Sequence, residues 1–247
     1  MATNGNVLLV LPTLNEISGL KVILPQIPLE LFRKVIVLDG CSTDGTIEFC
    51  ESNGLEVFVQ KQRGLRNGMM ELLTSDLANY DYILTFSPDG NCDPGTLHGF
   101  VEMLDGNVDL VIGSRYAGDQ SSADDDVITA FGNWVFTRST NLLFRSKYTD
   151  VFSIYRAFKP NLVWDLCLHE DESYRFAERA FHTKLSWEPL MSYRAAKYRK
   201  NIADYPVGEP ARIGGERKLQ VVRWGAAFLA QLIRETWYTP AKIVKGH

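Results

Sequence analysis

Short runs of apolar residues alternate with segments of helical periodicity through the first half of the chain. A run that is apolar at every position is typical of a strand buried on both faces of a parallel sheet. Such runs predict strands at residues 7–11, 35–38 and 57–59, and two further runs, interrupted by Thr85 and Asp109, predict strands at residues 82–86 and 108–112. Proline, glycine or polar residues follow each run and set the end of the strand.

The segments between these runs predict helices at residues 47–52, 69–77 and 96–104, and a helix or helical turns at residues 20–31. Thr43 or Asp44 can cap the helix at residues 47–52. This alternation predicts an α/β fold with a Rossmann-like, mostly parallel central sheet flanked by helices. Ligands of such sheets bind at the carboxyl ends of the strands, so we look for a site in the residues that follow each strand.

The second half of the chain departs from this alternation. An acidic, polar segment at residues 119–126 predicts a long loop, and helices are predicted at residues 129–144 and 171–181, with a strand around residues 202–207. An apolar-rich helix is predicted at residues 219–238. We therefore expect a main domain at residues 1–218 and a C-terminal amphipathic helix and tail at residues 219–247. That helix suits a bilayer surface and packing on the core or a partner subunit equally well.

Composition narrows the class of protein. The chain has 247 residues, 45% hydrophobic and 23% charged, close to an average soluble domain. Its net charge of -4 argues against a general nucleic-acid binder, so we expect no nucleic-acid partner. Four cations lie between Arg194 and Lys200, and any anion binding is expected late in the chain.

The expected location is cytoplasmic. The N-terminus reaches an apolar strand without a basic lead or a small-residue cleavage site, which argues against a secretory signal. No apolar stretch has the length of a transmembrane helix. The four cysteines lack the spacing of zinc or redox sites, and we expect them to be reduced.

Carboxylates follow three of the predicted strands. The segments are LPTLNE at residues 11–16, DGCSTDGT at residues 39–46 and SPDGNCDP at residues 87–94. Glu16 and Asp39 can accept hydrogen bonds from a ribose or a base. Asp89 and Asn91 offer hard oxygens to a divalent metal on a diphosphate. Taken singly, Asp44 and Asp93 are more typical of a turn or cap and a helix start.

Six motifs occur in the order found in the inverting glycosyltransferases of family two, which have the GT-A fold. They are the three segments above, GSRY at residues 113–116, SIYRAF at residues 153–158 and RIGGERKL at residues 212–219. Over residues 7–219 the chain resembles this family, and particularly its dolichyl- and polyprenyl-phosphate mannose and glucose synthases. The resemblance implies a GT-A fold and transfer of a hexose from a nucleotide-diphosphate sugar to a polyprenyl phosphate.

The resemblance also implies roles for residues on the donor side. The positions that match nucleoside contacts are Pro12, Thr13, Glu16 and Asp39. Asp89 and Asn91 match the position of a divalent metal, Mn²⁺ or Mg²⁺, and Asp89 is a predicted catalytic residue. Ser87 stands where family members usually have the first aspartate of an Asp-x-Asp motif. Asp89 must then supply most of the protein's charge at the ion.

Late cations match a family motif that clamps phosphate. Arg212 and Lys218 are predicted catalytic residues, because positive charge there stabilises the nucleotide that leaves. Glu216 and Arg217 replace the small residues usual in this motif, so the identity of the clamping cation stays open.

Arg115, Ser153 and Arg156 match positions near the acceptor, and either arginine could bind a lipid phosphate through two hydrogen bonds. A lipid phosphate is already an anion, whereas a sugar hydroxyl needs a general base. The candidate bases are Asp171, Glu172 and Glu188. Acidic residues at positions 170–172 are more typical of a helix N-terminus.

Two other functions stay open. One is transfer to a sugar hydroxyl in surface polysaccharide or lipid-linked glycan synthesis. The other, motivated by Ser87, is a non-catalytic nucleotide-sugar-binding protein. The implied donor is a UDP- or GDP-hexose. A lipid acceptor implies peripheral contact with the cytosolic face of a membrane, with a membrane-anchoring partner or a homo-oligomer as further options.

Overall fold

A seven-stranded sheet forms the centre of the part that the computed structural model describes, namely residues 6–74, 79–120, 122, 127–211, 213 and 221–244. The strands are β1 (Val7–Thr13), β2 (Lys34–Asp39), β3 (Glu56–Val59), β4 (Tyr82–Thr85), β5 (Leu110–Ser114), β6 (Arg156–Phe158) and β7 (Ile202–Pro206). Their order is β3-β2-β1-β4-β6-β5-β7. Only β6 runs antiparallel to its neighbours among these strands, so the predicted mostly parallel sheet is confirmed.

Helices cover both faces of the sheet. They are α1 (Ile17–Ile23), α2 (Thr46–Ser52), α3 (Leu65–Thr74), α4 (Leu97–Glu102), α5 (Val127–Phe144), α6 (Asn161–Asp165), α7 (Glu172–Phe181), α8 (Glu188–Lys197), α9 (Val221–Glu235) and α10 (Ala241–Val244). Side chains of α1, α2 and α4 pack on one face, and those of α3 and α5 to α9 pack on the other. The sheet is therefore covered on both sides, as parallel sheets require.

Successive residues of β1 enter opposite cores, because side chains alternate across a strand. Leu8 and Val10 belong to the larger core, while Val7, Leu9 and Leu11 belong to the smaller one. All five are fully buried. The interpretation of this apolar run as a strand buried on both faces is confirmed.

Several element bounds differ from the prediction. The segment at residues 20–31 forms α1 and then two 3-10 turns, Leu24–Gln26 and Leu29–Leu31, beside Pro25 and Pro28. Proline lacks the N–H that would continue a helix, which explains the interruption. Strand β6 and helices α6 and α8 are additional elements that the apolar pattern did not predict.

Helix α9 lies within the segment predicted to form the amphipathic C-terminal helix. Ala227, Phe228 and Leu232 are buried in the larger core beside α5, α7 and α8. Packing on the core is thus the role that the structure gives to this face of the helix. Residues 214–220, which include the predicted boundary between 218 and 219, lie outside the described part. None of the helices within the described ranges combines the length and apolar character needed to cross a bilayer.

Candidate active site

The loops after β1 and β2 are joined by hydrogen bonds at the carboxyl edge of the sheet. The Asn15 backbone N–H donates to Ser42 Oγ at 2.8 Å, and the Thr43 N–H donates to Asn15 Oδ1 at 2.8 Å. Asp44 Oδ2 accepts from the Ile17 N–H at 3.2 Å, and its Oδ1 accepts from the Thr46 N–H at 3.0 Å. Asp44 therefore binds the first N–H of α2 and ties the two loops together, whereas the N-cap position of α2 is Gly45 and not Thr43 or Asp44 as predicted.

Asp39 ends β2 at the centre of these loops and is fully buried. It lies opposite Thr13 in the register, and Thr13 Oγ1 donates to its Oδ2 at 2.8 Å. Ser42 donates from its N–H at 2.7 Å and from its hydroxyl at 2.6 Å. These bonds fix the carboxylate where three of the four predicted nucleoside contacts, Pro12, Thr13 and Asp39, meet in adjacent strands. The fourth, Glu16, precedes α1 and donates its N–H to Thr46 Oγ1 at 3.1 Å.

The loop after β4 holds the predicted metal residues. Asp89 and Asn91 are both buried, and the Asn91 N–H donates to Asp89 Oδ1 at 3.2 Å. Gly90 between them has a φ of 92°, a conformation that glycine adopts without strain. Asp93 accepts from the Gly95 N–H at 2.8 Å and starts the turn before α4, as its position predicted.

A second loop, after β7, lies against this metal loop. The Ile213 N–H donates to the Asp89 carbonyl oxygen at 3.1 Å. The Glu209 carboxylate accepts from Asn91 Nδ2 at 3.2 Å through Oε1, and its Oε2 lies 3.5 Å from Arg115 Nη1. Glu209 was not predicted as a site residue. Its only signal in the sequence is its place shortly after a strand.

Arg115 is held by a buried carboxylate. Its Nε lies 2.6 Å from Asp150 Oδ2 and its Nη2 lies 3.2 Å from Asp150 Oδ1. Burial alone would raise the pKa of Asp150, but the charge and hydrogen bonds of Arg115 outweigh it and lower that pKa. The bidentate face of Arg115 is thus already occupied within the protein. A direct bidentate contact with an acceptor would have to displace Asp150.

The side chains of Ser153 and Arg156 are buried and donate hydrogen bonds to backbone carbonyl oxygens. Arg156 is fully buried, and its guanidinium donates to the carbonyl oxygens of Ser153 and Glu188, each at 2.8 Å. The Ser153 hydroxyl is also buried and donates to the Tyr155 carbonyl oxygen at 3.4 Å. The donors of Arg156 are thus already used in the interior, and direct contact with a lipid phosphate would require it to release these carbonyl oxygens.

A pocket of about 530 Å³ opens beside the end of β5. Its described lining comes from α5 and the residues on either side, and includes Tyr116, Asn133, Trp134, Thr137, Arg138, Asn141, Lys147 and Thr149. Tyr116 follows Arg115 in the chain. Arg115 contacts Glu209, and Glu209 accepts a hydrogen bond from Asn91 of the metal loop. The pocket and the metal loop therefore lie on the same edge of the sheet.

Two of the side chains that line this pocket are buried and have a polar atom that can still accept a hydrogen bond. Asn133 and Thr137 are each 5% exposed, and Asn133 Oδ1 and Thr137 Oγ1 have no hydrogen-bond partner within the described residues. Buried polar groups normally have partners. With Asn141 these residues recur every four positions along α5, so they share one face. That spacing is the sequence signal that could have identified the pocket.

Asp204 lies next to Thr149, which lines the pocket. The Thr149 hydroxyl contacts Asp204 Oδ2 and Ser114 Oγ, each at 2.6 Å. Burial raises the pKa of Asp204 above its usual range, against the effect of these hydrogen bonds. Asp204 itself is not among the described residues that line the pocket.

The other predicted residues fall elsewhere. Arg212 and Lys218 lie outside the described residues. Among the candidate bases, Glu188 is buried in the first turn of α8, while Asp171 lines a separate groove beside α7. Glu172 lies in the first turn of α7, as predicted for acidic residues at a helix start. Within the described ranges there is no cluster of three or more histidine, cysteine or acidic side chains with metal-binding geometry.

Comparison with known proteins gives one family. The model of glycosyl transferase family 2 matches residues 9–167, which is more than half of the chain. The glycosyltransferase AglJ of Haloferax volcanii is 30% identical over 171 residues, which are 69% of this chain. The chain spans only 56% of the length of that relative. An undecaprenyl-phosphate mannosyltransferase of Micrococcus luteus is 26% identical over 90% of this chain and 94% of its own length.

Solved structures agree on the fold. Glucosyl-3-phosphoglycerate synthase from Mycobacterium tuberculosis, in complex with Mn²⁺, uridine diphosphate and phosphoglyceric acid, has a TM-score of 0.65 at 18% identity. The match covers 96% of this chain and 80% of that one. The complex of the same synthase with Mn²⁺, UDP-glucose and phosphoglyceric acid has a TM-score of 0.63. The predicted GT-A fold is confirmed.

Proposed function

Because the chain belongs to glycosyl transferase family 2 and is thus a glycosyltransferase, we propose that it transfers a hexose, with inversion, from a UDP- or GDP-hexose to a polyprenyl phosphate. The Micrococcus luteus relative, which matches most of the chain, is named for a lipid-phosphate acceptor. The observation that carries the choice of acceptor is the pocket beside β5.

The described lining of this pocket suits an anion. Arg138 and Lys147 bring positive charge, and the Thr137 hydroxyl and the Asn133 amide can donate hydrogen bonds. The described lining residues include no carboxylate to act as a general base. An acceptor that is already an anion needs none, whereas a sugar hydroxyl does. A phosphate monoester therefore fits the pocket better than a sugar hydroxyl.

The surface beside the pocket suits the lipid part of the acceptor. Six large apolar side chains are exposed on α5, and the five most exposed are Val127 by 85%, Ile128 by 69%, Phe131 by 64%, Trp134 by 56% and Leu142 by 81%. We call these five the α5 stripe. Arg138, Arg145 and Lys147 are exposed next to it. Apolar and aromatic side chains beside cations are typical of a surface that contacts anionic lipid, so we propose that the α5 stripe faces the membrane.

The donor is proposed to bind across the loops after β1, β2 and β4. Asp39 and Glu16 are proposed to contact the nucleoside, with Pro12 and Thr13 shaping its site. The buried carboxylate of Asp89 and the amide oxygen of Asn91 are hard donors of the kind that Mn²⁺ or Mg²⁺ prefers, so the residues fit a divalent metal. When bound, such a metal offsets negative charge on the diphosphate that leaves.

The chain's own cations are proposed to stabilise the same charge. Arg212 and Lys218 keep their proposed role as a phosphate clamp. Support comes from Ile213, the residue after Arg212, whose N–H contacts the Asp89 carbonyl oxygen at 3.1 Å. Asp39, held by three hydrogen bonds, would orient the nucleoside before the bond to the sugar breaks.

The test is release of nucleoside diphosphate from a panel of UDP- and GDP-hexoses with Mn²⁺ or Mg²⁺, with and without polyprenyl phosphate. We expect release that depends on one donor and on the lipid. Asp89→Asn should lower it on the order of 100-fold, because charge stabilisation by a bound metal is worth several kcal/mol. Asp93→Asn is the matched control, since Asp93 only starts the turn in the same loop, and it should retain most activity.

Other outcomes point to the alternatives. Release that needs an added glycan and ignores the lipid would replace the lipid acceptor with a sugar hydroxyl. Donor binding without release under any condition would identify a nucleotide-sugar-binding protein. Full activity of Asp89→Asn would remove Asp89 from the proposed mechanism.

A further inference from the structure

Position 87 is a serine where related chains have an aspartate, so one carboxylate is missing from the metal site. We propose that Glu209 supplies this carboxylate, so that the loops after two different strands hold the ion. The inference rests on the proposed function, because it assumes a divalent metal at Asp89 and Asn91. The sequence motif alone offers that metal one carboxylate where related motifs offer two. The structure brings a second carboxylate to the same place from far along the chain.

Glu209 belongs to the described segment that is attached to the metal loop at two points. Its Oε1 lies 3.2 Å from Asn91 Nδ2, and four residues later the Ile213 N–H donates to the Asp89 carbonyl oxygen at 3.1 Å. A Cβ atom on Gly90 would lie 2.5 Å from the Ile213 side chain, so the two loops are in close contact. The Glu209 side chain is only 11% exposed. It is therefore part of the site and not a solvated surface group.

The two oxygens of Glu209 have different surroundings. Oε2 lies 3.5 Å from Arg115 Nη1 and accepts a hydrogen bond from Ser122. Arg115 also pairs bidentately with the buried carboxylate of Asp150. Oε1 is directed at Asn91. The carboxylate is thus oriented with one oxygen toward the proposed metal residues.

The Asn91 amide connects this geometry to metal binding. An asparagine amide can turn by 180°, which exchanges its nitrogen and oxygen. After that turn, Asn91 Oδ1 and Glu209 Oε1 would face each other at the distance now spanned by a hydrogen bond. Two oxygens so placed repel unless a cation lies between them, and a divalent ion prefers such hard ligands. A metal ion could therefore replace the hydrogen bond that now joins Asn91 and Glu209.

The competing explanation is that Glu209 only fastens the loop after β7 to the metal loop. Both explanations predict that a Glu209 variant loses activity, so activity cannot separate them. They differ in the effect of restoring a carboxylate at position 87. An aspartate there supplies charge to the ion, but it does not rebuild the contact between Glu209 and Asn91.

The experiment measures Mn²⁺ affinity by electron paramagnetic resonance of the free ion, in the presence of UDP and, separately, GDP. The variants are Asp89→Asn, Glu209→Gln, Ser87→Asp and the double variant Ser87→Asp/Glu209→Gln. Glu51→Gln, on the exposed surface of α2, is the control for loss of one carboxylate. Thermal unfolding of each variant establishes that it is folded.

We expect Glu209→Gln to weaken Mn²⁺ binding by at least about tenfold, in the range seen when groups around a metal are removed. The double variant should recover to within about threefold of wild type, because a carboxylate is the preferred hard ligand. Glu51→Gln should bind as wild type does. Wild-type affinity in Glu209→Gln, with binding lost in Asp89→Asn, would overturn the inference and leave the proposed function intact.

Weak binding in both Glu209→Gln and the double variant would also overturn the inference, and would assign Glu209 to fastening the loops. Wild-type affinity in Asp89→Asn would overturn the metal site of the proposed function together with this inference. If Glu209→Gln is unfolded, the comparison moves to Ser87→Asp. Tighter Mn²⁺ binding in that variant is expected, and unchanged binding would contradict a site short of one carboxylate.

Discussion

A single hydrogen atom in place of a side chain at position 19 lets the first helix approach the metal loop. A Cβ atom on Gly19 would lie 2.4 Å from the Pro88 carbonyl oxygen and 2.9 Å from Asp89 Cα. Both are backbone atoms, which cannot rotate away as a flexible side chain can. Glycine at this position therefore sets where Asp89 is held relative to β1.

Gly19→Ala is expected to shift the backbone at residues 88 and 89. Overpacking of this kind costs about 1–3 kcal/mol of unfolding free energy. Nucleotide release should fall by about tenfold or more, because small displacements of site residues are costly. Urea unfolding and the release assay measure the two effects.

The matched control is Gly225→Ala in α9, where an added Cβ meets no atom within 4 Å. It should leave activity unchanged and stabilise the helix by about 0.5–1 kcal/mol. Equal loss of activity in both variants would contradict a specific role for the contact at Gly19.

At the scale of elements, a buried ion pair fixes α9 to α8. Arg194 Nε lies 2.9 Å from Glu235 Oε2, and both side chains are fully buried. Arg194 also donates to the Leu166 carbonyl oxygen at 2.7 Å and to Ser173 Oγ at 2.9 Å. Burial alone would lower the pKa of Arg194, but Glu235 outweighs it and raises that pKa. The positive charge of Arg194 is thus stabilised in the interior by the negative charge of Glu235.

Glu235→Gln should therefore destabilise the protein by about 3–5 kcal/mol, since it leaves an uncompensated buried charge. Glu56→Gln is the control, because Glu56 pairs with Lys34 at 2.7 Å on an exposed surface. Such exposed pairs contribute about 0–1 kcal/mol. Urea unfolding of both variants gives the comparison, and similar midpoints would show that the buried pair is dispensable.

The same contacts change the interpretation of the basic segment from Arg194 to Lys200. Lys197 donates to the carbonyl oxygens of Glu235 and Tyr238, at 2.8 and 2.7 Å. Arg199 donates to the Phe144 carbonyl oxygen at 2.8 Å. These cations were candidates for anion binding in the sequence. In the structure they donate to carbonyl oxygens at or just beyond the C-terminal ends of α9 and α5, and so connect these helices to α8 and the residues after it.

At the scale of the whole molecule, the exposed apolar surfaces suggest which side faces a membrane. The α5 stripe adjoins the pocket, and the rings of Phe131 and Trp134 stack at 6.0 Å between centroids. The C-terminal helix α9 contributes its apolar face to the core instead, with Trp237 just beyond it 68% exposed. We expect α5 to be the main lipid contact.

The double variant Phe131→Glu/Leu142→Glu, at two exposed positions of the α5 stripe outside the lining of the pocket, should lose most cosedimentation with anionic vesicles, because each change removes apolar contact and adds negative charge. Trp237→Glu introduces one such charge near α9 and should retain most binding. Release with a short, water-soluble polyprenyl phosphate should persist in the double variant. Loss of vesicle binding in Trp237→Glu alone would assign the contact to the C-terminal helix.

The order of strands and helices was largely determined by the sequence. Short runs that are wholly or mainly apolar are typical of strands buried between two layers of helices, and this pattern identified β1, β2, β4 and β5. The carboxylates after β1, β2 and β4 were predicted to meet because parallel strands end at one edge. Strand β6 escaped prediction because it is three residues long and includes Arg156, whose charge interrupts the apolar pattern.

Tertiary structure alone decided which charged residues are available to a ligand. A sequence gives the charge of Arg156, Arg194 and Glu209, but burial and hydrogen-bond partners depend on residues far away in the chain. Arg156 is buried beneath α8 and Arg194 is paired with α9, so neither is open to an anion. Glu209 meets Asn91 across 118 residues because β7 and β4 belong to one sheet. An unpaired charge is costly to bury, so these partners determine which charged side chains can lie in the interior. Because the partners are distant in the chain, local sequence does not predict them.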